Sequence, residues 1–243
     1  MSEPAYIEQA ESLPFGAFTD LCGQDGGVVI MAPHPDDETL GCGGLIAQAA
    51  AHERPVIIIV MTDGTQSHPN SARFPAPCLA ETRRLESSEA AKLLGLDPDR
   101  IVFLGLQDGA LPASGEGFSA AVESVFRICQ TASAAALFCT WRHDHHLDHK
   151  AAWRMAENVQ SRRLHMRLWA YPVWGRALPA PIAEDAPAGV RLDIAAHLAA
   201  KQSAIRAHRS QVTDMIDDDP DGFKLSSAVI SVFERPYEIF LAP

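Results

Sequence analysis

The sequence predicts an α/β fold, one mostly parallel sheet with helices on both faces. Three observations lead there. Short β-branched runs alternate with longer helical stretches, the pattern of a doubly covered sheet. The run VIIIVM (56–61) is apolar at every position, as a strand buried on both faces requires. Histidine or aspartate follows each of four successive strands, and active sites of such sheets lie beyond the carboxyl ends of their strands.

The elements follow in order. Val28–Met31 reads as a strand and Leu40–His52 as the helix after it; Val56–Met61 is the second strand. A polar loop, 62–77, leads to a helix over Leu79–Leu94, closed by Gly95 and followed by Pro98. Ile101–Leu106 is the third strand and Gly117–Ala132 a helix with apolar residues at three-to-four spacing. Ala136–Trp141 is the fourth strand, with a helix over Lys150–Arg162. Leu168–Val173 is a fifth strand, where Pro172 marks either a sheet edge or the strand's end. A long helix is expected over Ala195–Ser210 and a last strand within Val232–Leu241. Crossovers between parallel neighbours are expected to be right-handed.

The 243 residues suit a single domain spanning 1–243, with a polar N-terminal arm (1–25) and a proline-rich loop (176–189). A net charge of -11 argues against nucleic acid or an anionic membrane surface as partner. No apolar run is long enough to span a bilayer, and the acidic N-terminus lacks the basic region of a secretory signal. Five cysteines without a C-x-x-C pair fit reduced thiols in the cytoplasm, the expected location.

Chemistry concentrates in two segments. In MAPHPDDE, His34 and Asp37 are three apart where a strand turns into a helix, so both can face one point, and imidazole and carboxylate are standard zinc ligands. Asp36 sits between them, placed to take a proton from an activated water. The competing explanation is a capped helix N-terminus. It accounts for either aspartate alone but poorly for a histidine with three consecutive acids, which repel without a cation.

The second segment, RHDHHLDH (142–149), holds four of the chain's ten histidines. A helix beginning near Asp148 puts His146 and His149 on one side, so one can ligate while the other faces substrate. The competing explanation is a solvated helix entry, or a surface cluster that binds metal adventitiously.

The run APHPDDETLGCGG, followed much later by H-x-D-H, resembles the PIG-L/LmbE family of zinc-dependent de-N-acetylases. That family includes the GlcNAc-phosphatidylinositol deacetylases and those of mycothiol and bacillithiol biosynthesis. The similarity continues through TDG (62–64), RRLESSEAAKLLG (83–95), FLGLQDGAL (103–111), TWRHDHHLDHKAA (140–152) and KQSAIRAHRSQ (201–211). It implies a Rossmann-like sheet with zinc ligands His34, Asp37 and His149, and Asp36 as general base. It further implies that His146 stabilises the oxyanion or protonates the leaving amine, that Asp148 holds its ring, and that Arg83 and Asp108 contact the sugar. This sequence departs from the family's common H-P-D-H in having Leu147, with His143 and His145 crowding the segment.

The implied reaction is metal-assisted amide hydrolysis, removing acetate from an N-acetylated amino sugar. Zn2+ is the expected cofactor, with Fe2+ as an alternative occupant; the expected partner is that small-molecule substrate, and a homo-oligomer is compatible. A zinc amidase for a larger sugar or thiol conjugate is the competing enzyme reading, with loops 65–78 and 176–189 setting pocket depth. A non-catalytic sugar-binding relative is the competing non-enzyme reading, against which Asp36 beside the ligands stands. Gly41-Cys42-Gly43-Gly44 lacks the order of a dinucleotide loop and is better explained by close helix–strand packing. His208 is either a site residue or a structural histidine, and Trp141, Tyr171 and Trp174 either stack on a sugar or pack the core.

Overall fold

The structure, a computed structural model, describes residues 6–177 and 187–243. Its helices are α1 (Tyr6–Ala10), α2 (Phe18–Cys22), α3 (Asp37–Ala51), α4 (Ala76–Leu93), α5 (Gly115–Thr131), α6 (Leu147–Ser161), α7 (Trp174–Ala177), α8 (Leu198–Ala207), α9 (Arg209–Val212) and α10 (Ser227–Phe233). The strands are β1 (Phe15–Gly16), β2 (Gly27–Ala32), β3 (Val56–Thr62), β4 (Ile101–Leu106), β5 (Ala134–Thr140), β6 (Arg167–Tyr171), β7 (Gly189–Asp193) and β8 (Tyr237–Leu241). Among the described residues they form one sheet in the order β1-β7-β8-β6-β5-β2-β3-β4. All pairings are parallel except those of β8 with β6 and β7.

Alternate side chains of a strand face opposite layers, and β2 shows this directly. Val28 and Ile30 join a core with α3, α4 and α8, whereas Val29 and Met31 join one with α5 and α6. Every residue of β2 is buried, consistent with a central strand covered on both faces. Among the described residues no helix is long and apolar enough to cross a membrane.

At four places the structure refines the expectations or adds to them. The described part of the N-terminal arm is structured, since β1 pairs with β7 at the sheet edge. Pro172 follows the end of β6, which is interior between β5 and β8, so the proline stops the strand instead of marking an edge. The expected long helix over 195–210 is a 3-10 turn (Ala195–His197), then α8 and α9, broken at His208 with φ −77° and ψ 56°. Helix α10 and strand β7 carry too short a periodicity to be anticipated. Residues 178–186 of the proline-rich loop lie outside the described residues.

The glycines of α3 serve packing, as expected. A Cβ on Gly41 would lie 2.1 Å from the ring of Tyr171, a fully buried side chain whose hydroxyl donates to the Met31 carbonyl (2.6 Å). Close by, Glu238 of β8 accepts from the amides of Gly44 (2.7 Å) and Leu45 (2.8 Å) and from Lys201 Nζ (2.7 Å). These contacts anchor the helix that begins at the acid cluster. Gly41→Ala is expected to destabilise the fold by about 1–3 kcal/mol through overpacking against Tyr171, measured by urea unfolding.

Candidate active site

Strand β2 is the point from which the sheet order runs outward both ways, to β3 and β4 on one side and to β5 and β6 on the other. A crevice opens beyond the carboxyl ends of strands at such a switch point. Here the loops after β2, β4 and β5 deliver His34 to Asp37, Asp108, and Asp144 to His149. The loop after β3 contributes Gln66 and Ser67 to the cavity instead of a free acid. Asp63 Oδ1 is spent accepting from the Thr65 amide (3.1 Å), the Thr65 hydroxyl (2.9 Å) and the Asp108 amide (3.3 Å).

The first loop is held under strain. Asp36 has φ 155° and ψ −26°, a conformation that L side chains rarely adopt, and strained backbone of this kind gathers at functional sites. Four hydrogen bonds hold it there. Its amide donates to Glu38 Oε2 (3.2 Å), Arg83 donates to its carboxylate (3.1 Å), and Arg83 also donates to the carbonyls of Pro35 (2.8 Å) and Gly64 (2.9 Å). Arg83 is thus spent mainly on positioning Asp36, although it lines the cavity. Burial pushes the Asp36 carboxyl up to about 7, Arg83 opposing the rise and Asp37 adding to it.

Two histidines are held by carboxylates at both ring nitrogens. His34 Nε2 lies 3.2 Å from Asp108 Oδ1 and 3.2 Å from Asp148 Oδ2. His149 Nδ1 lies 2.9 Å from Asp144 Oδ2. Carboxylates only accept, so with a cation beside the opposite nitrogens these nitrogens carry the protons and the neutral rings turn their lone pairs toward it. The lone-pair nitrogens, His34 Nδ1 and His149 Nε2, are 3.3 Å apart, and each is 3.2 Å from Asp37 Oδ2.

Three acceptors in a triangle of 3.2–3.3 Å edges repel one another unless a proton or a cation lies among them. Tetrahedral zinc with bonds of about 2.0–2.1 Å places its ligand atoms about 3.3 Å apart, so the donor set fits a divalent metal. Without one, protons fill the role. Against burial, which opposes charge, Asp108, Asp148 and Asp37 hold His34 well above its ordinary range, and Asp37 with Asp144 raises His149 to about 9. Burial also opposes ionisation of Asp37, yet His149 and His34 keep its carboxyl far below the usual range. Among the described residues, two other groups of possible ligands share His34, one with His146 and His149 and one with Asp108 and Asp148. The acids of the latter are taken by main chain, accepting from the amides of Gln66, Gly109 and Leu111, which is the pattern of a supporting shell.

His146 is the N-cap of α6, and its Nδ1 accepts from the Asp148 amide (3.2 Å). The expected hold of the Asp148 carboxylate on this ring is therefore replaced by a main-chain contact, the carboxylate being taken by His34, Gly109 and Leu111. With Nδ1 accepting, the neutral ring carries its proton on Nε2. Burial, His34 and His149 keep His146 below its ordinary range and so neutral. Leu147 is 74% exposed at the first helical position, where proline is favoured by its preset φ and because no amide partner is needed there. The departure from H-P-D-H removes no ligand from the site.

The cavity above these groups measures about 450 Å3, within the range of small-molecule sites. His34, Asp36, Asp37 and Asp108 lie on its floor side, and Gln66, Ser67, Gln211, Trp174, Phe223 and Leu225 are among the groups that wall it. His145 also lines it. His143 accepts from Arg142 and meets the edge of Trp141. Of the three aromatics in question, Trp174 alone lines the cavity; Tyr171 is core, and Trp141 is buried and stacked on Tyr6. His208 is structural, buried with Nε2 against the Thr39 hydroxyl (3.1 Å). Sequence reasoning passed over Asp144, Ser67, Gln211 and Phe223. Asp144 and Gln211 stand inside quoted motifs, so a signal existed, whereas Phe223 carried none.

Asp144 also accepts from the amides of Val173 (3.1 Å) and Gly175 (2.7 Å), which ties the His149 ring to the loop after β6. Asp144→Asn is expected to weaken zinc affinity about 10- to 100-fold while the chain stays folded, measured by titration against a chromogenic chelator.

Comparison with known proteins agrees with this geometry. Residues 29–160 match the PIG-L family, described as GlcNAc-PI de-N-acetylase. A relative, 2'-N-acetylparomamine deacetylase of Streptomyces fradiae, is 29% identical over 137 residues, 51% of this chain and 48% of the relative. The match thus spans about half the length of that relative. Among solved structures, N,N'-diacetylchitobiose deacetylase from Pyrococcus horikoshii has a TM-score of 0.65 at 24% identity, over 82% of this chain and 75% of that one. A conserved protein from Thermus thermophilus has a TM-score of 0.67 at 25% identity, over 90% of this chain and 94% of that one. With more than half the chain matched and the motif residues gathered at one sheet rim, this protein belongs to the PIG-L family of de-N-acetylases.

Proposed function

We propose that this protein is a zinc-dependent deacetylase that removes the acetyl group from an N-acetylated amino sugar in the cytoplasm. The observation that carries the reading is the triangle of His34 Nδ1, Asp37 Oδ2 and His149 Nε2, with a strained, buried Asp36 next in sequence to one corner. The names of the relatives, which act on paromamine and chitobiose derivatives, support the substrate class. Four of five free cysteines are buried, which suits a reducing compartment.

His34, Asp37 and His149 would hold the metal, which when bound supplies a Lewis acid for the amide carbonyl and acidifies a water. Asp36 accepts the proton of that water as it attacks. Arg83 keeps the Asp36 carboxylate turned into the cavity and prevents the loop from relaxing. His146 donates from Nε2 to the carbonyl oxygen as negative charge develops there. The proton held by Asp36 then passes to the nitrogen as the C–N bond breaks, giving amine and acetate. Asp108 and Asp148 fix the His34 ring, and Asp144 fixes that of His149.

Asp36→Asn is expected to lower kcat by about 10²- to 10⁴-fold with zinc content unchanged, read by acetate release from N-acetylglucosaminyl compounds and by metal analysis. Unchanged turnover would refute the assignment. Zinc at 100 times its Kd is expected to stabilise the wild type by about 2.7 kcal/mol and His149→Ala far less, read by thermal unfolding.

A further inference from the structure

One acceptor on a residue beside the cavity has no partner among the described residues. Gln211 is fully buried yet lines the cavity, and its side-chain Oε1 has no hydrogen-bond donor. Its Nε2 donates to Ser210 Oγ (3.0 Å) and Ser67 Oγ (3.2 Å). The Ser210 hydroxyl spends its own proton on Glu86 Oε2 (2.6 Å), so towards Gln211 it can only accept. This chain fixes which end of the amide is which, and the free end is the oxygen. Buried acceptors are nearly always satisfied, so an unpartnered one on a residue that lines the cavity points to a donor brought by a ligand.

The surrounding wall indicates what kind of ligand. The Ser67 carbonyl accepts from the Phe223 amide (2.6 Å) and the Gln211 carbonyl from the Leu225 amide (2.8 Å). These bonds set Phe223 and Leu225 beside the Gln211 amide. The Phe223 ring meets Trp174 edge to face at 5.4 Å, with Phe223 39% exposed. An apolar aromatic wall next to a lone acceptor suits a ring with C–H faces and a hydroxyl on its rim, that is, a pyranose. An anionic group would be repelled by the same oxygen. We propose that Gln211 Oε1, with the Trp174–Phe223 wall, forms the subsite that reads one ring hydroxyl of the amino sugar. Glu86 and Ser210 are positioning residues that hold the amide in its reading orientation. The inference rests on the amino-sugar reading above.

The test is calorimetric binding of the methyl glycoside of N-acetylglucosamine and its 3-, 4- and 6-deoxy analogues to the zinc-loaded protein. In the wild type one analogue is expected to bind about 10- to 100-fold more weakly than the parent. In Gln211→Met that analogue and the parent should bind within about twofold of each other, with KM raised and kcat little changed. Should Gln211→Met fail to fold, Gln211→Asn, which withdraws the oxygen by one methylene, makes the same comparison. The inference is overturned if no analogue is discriminated, if the variant discriminates as the wild type does, or if none of the glycosides binds. Binding with hydroxyl discrimination but no acetate release would contradict the deacetylase reading and leave the subsite standing. Turnover of the sugar without discrimination would overturn the subsite alone.

Discussion

Three lone-pair donors facing one point are tolerable only with positive charge among them, and this constraint organises the site. Asp108 and Asp148 hold one side of the His34 ring, and Asp144 holds one side of the His149 ring. The free sides then face Asp37 at 3.2 Å. Turning either ring would take its N–H away from a buried carboxylate, which is also costly. Neither histidine can escape by rotating, so the site is poised for a cation or for protons in its place.

The fold supplies this arrangement by placing strand ends, and the roles divide by position in the turn. Asp37 begins α3 and faces the histidines; Asp36, one residue earlier, is twisted to φ 155° and turned toward Arg83. Glu38 accepts from the Asp36 amide and so belongs to the turn itself. Three consecutive acids therefore do three different jobs because backbone direction changes sharply across them. The packing of Gly41 against Tyr171, and the hydrogen bonds of the Gly44 and Leu45 amides to Glu238, tie α3 and the turn at its start to β6 and β8.

Much of this was legible in the sequence. The β-branched runs gave β2 through β6 to within a few residues, because buried parallel strands have a strong and simple pattern. His34, Asp36 and Asp37 were legible because acids and imidazoles at strand ends are costly unless they act together, whereas His149 was told apart from His146 only by the resemblance of the H-x-D-H segment to the family motif. The rest depended on contacts that sequence cannot show. The Asp148 carboxylate was expected on His146 and lies on His34, since the loop at 109–111 supplies amides to it from another strand. Trp141, Tyr171 and Trp174 look alike in sequence, and only the path of the chain after β6 separates the one that lines the cavity from the two in the core. Phe223 comes from a loop with no periodicity at all, and its place follows from one main-chain bond to Ser67.

The central claim is that the lone pairs of His34 and His149 converge with Asp37 on one metal. Anomalous diffraction at the zinc edge from zinc-loaded crystals tests it most directly. The predicted result is one peak about 2.0–2.1 Å from His34 Nδ1, His149 Nε2 and an Asp37 oxygen. A peak between His34 Nε2, Asp108 and Asp148, or none at the rim, would contradict it.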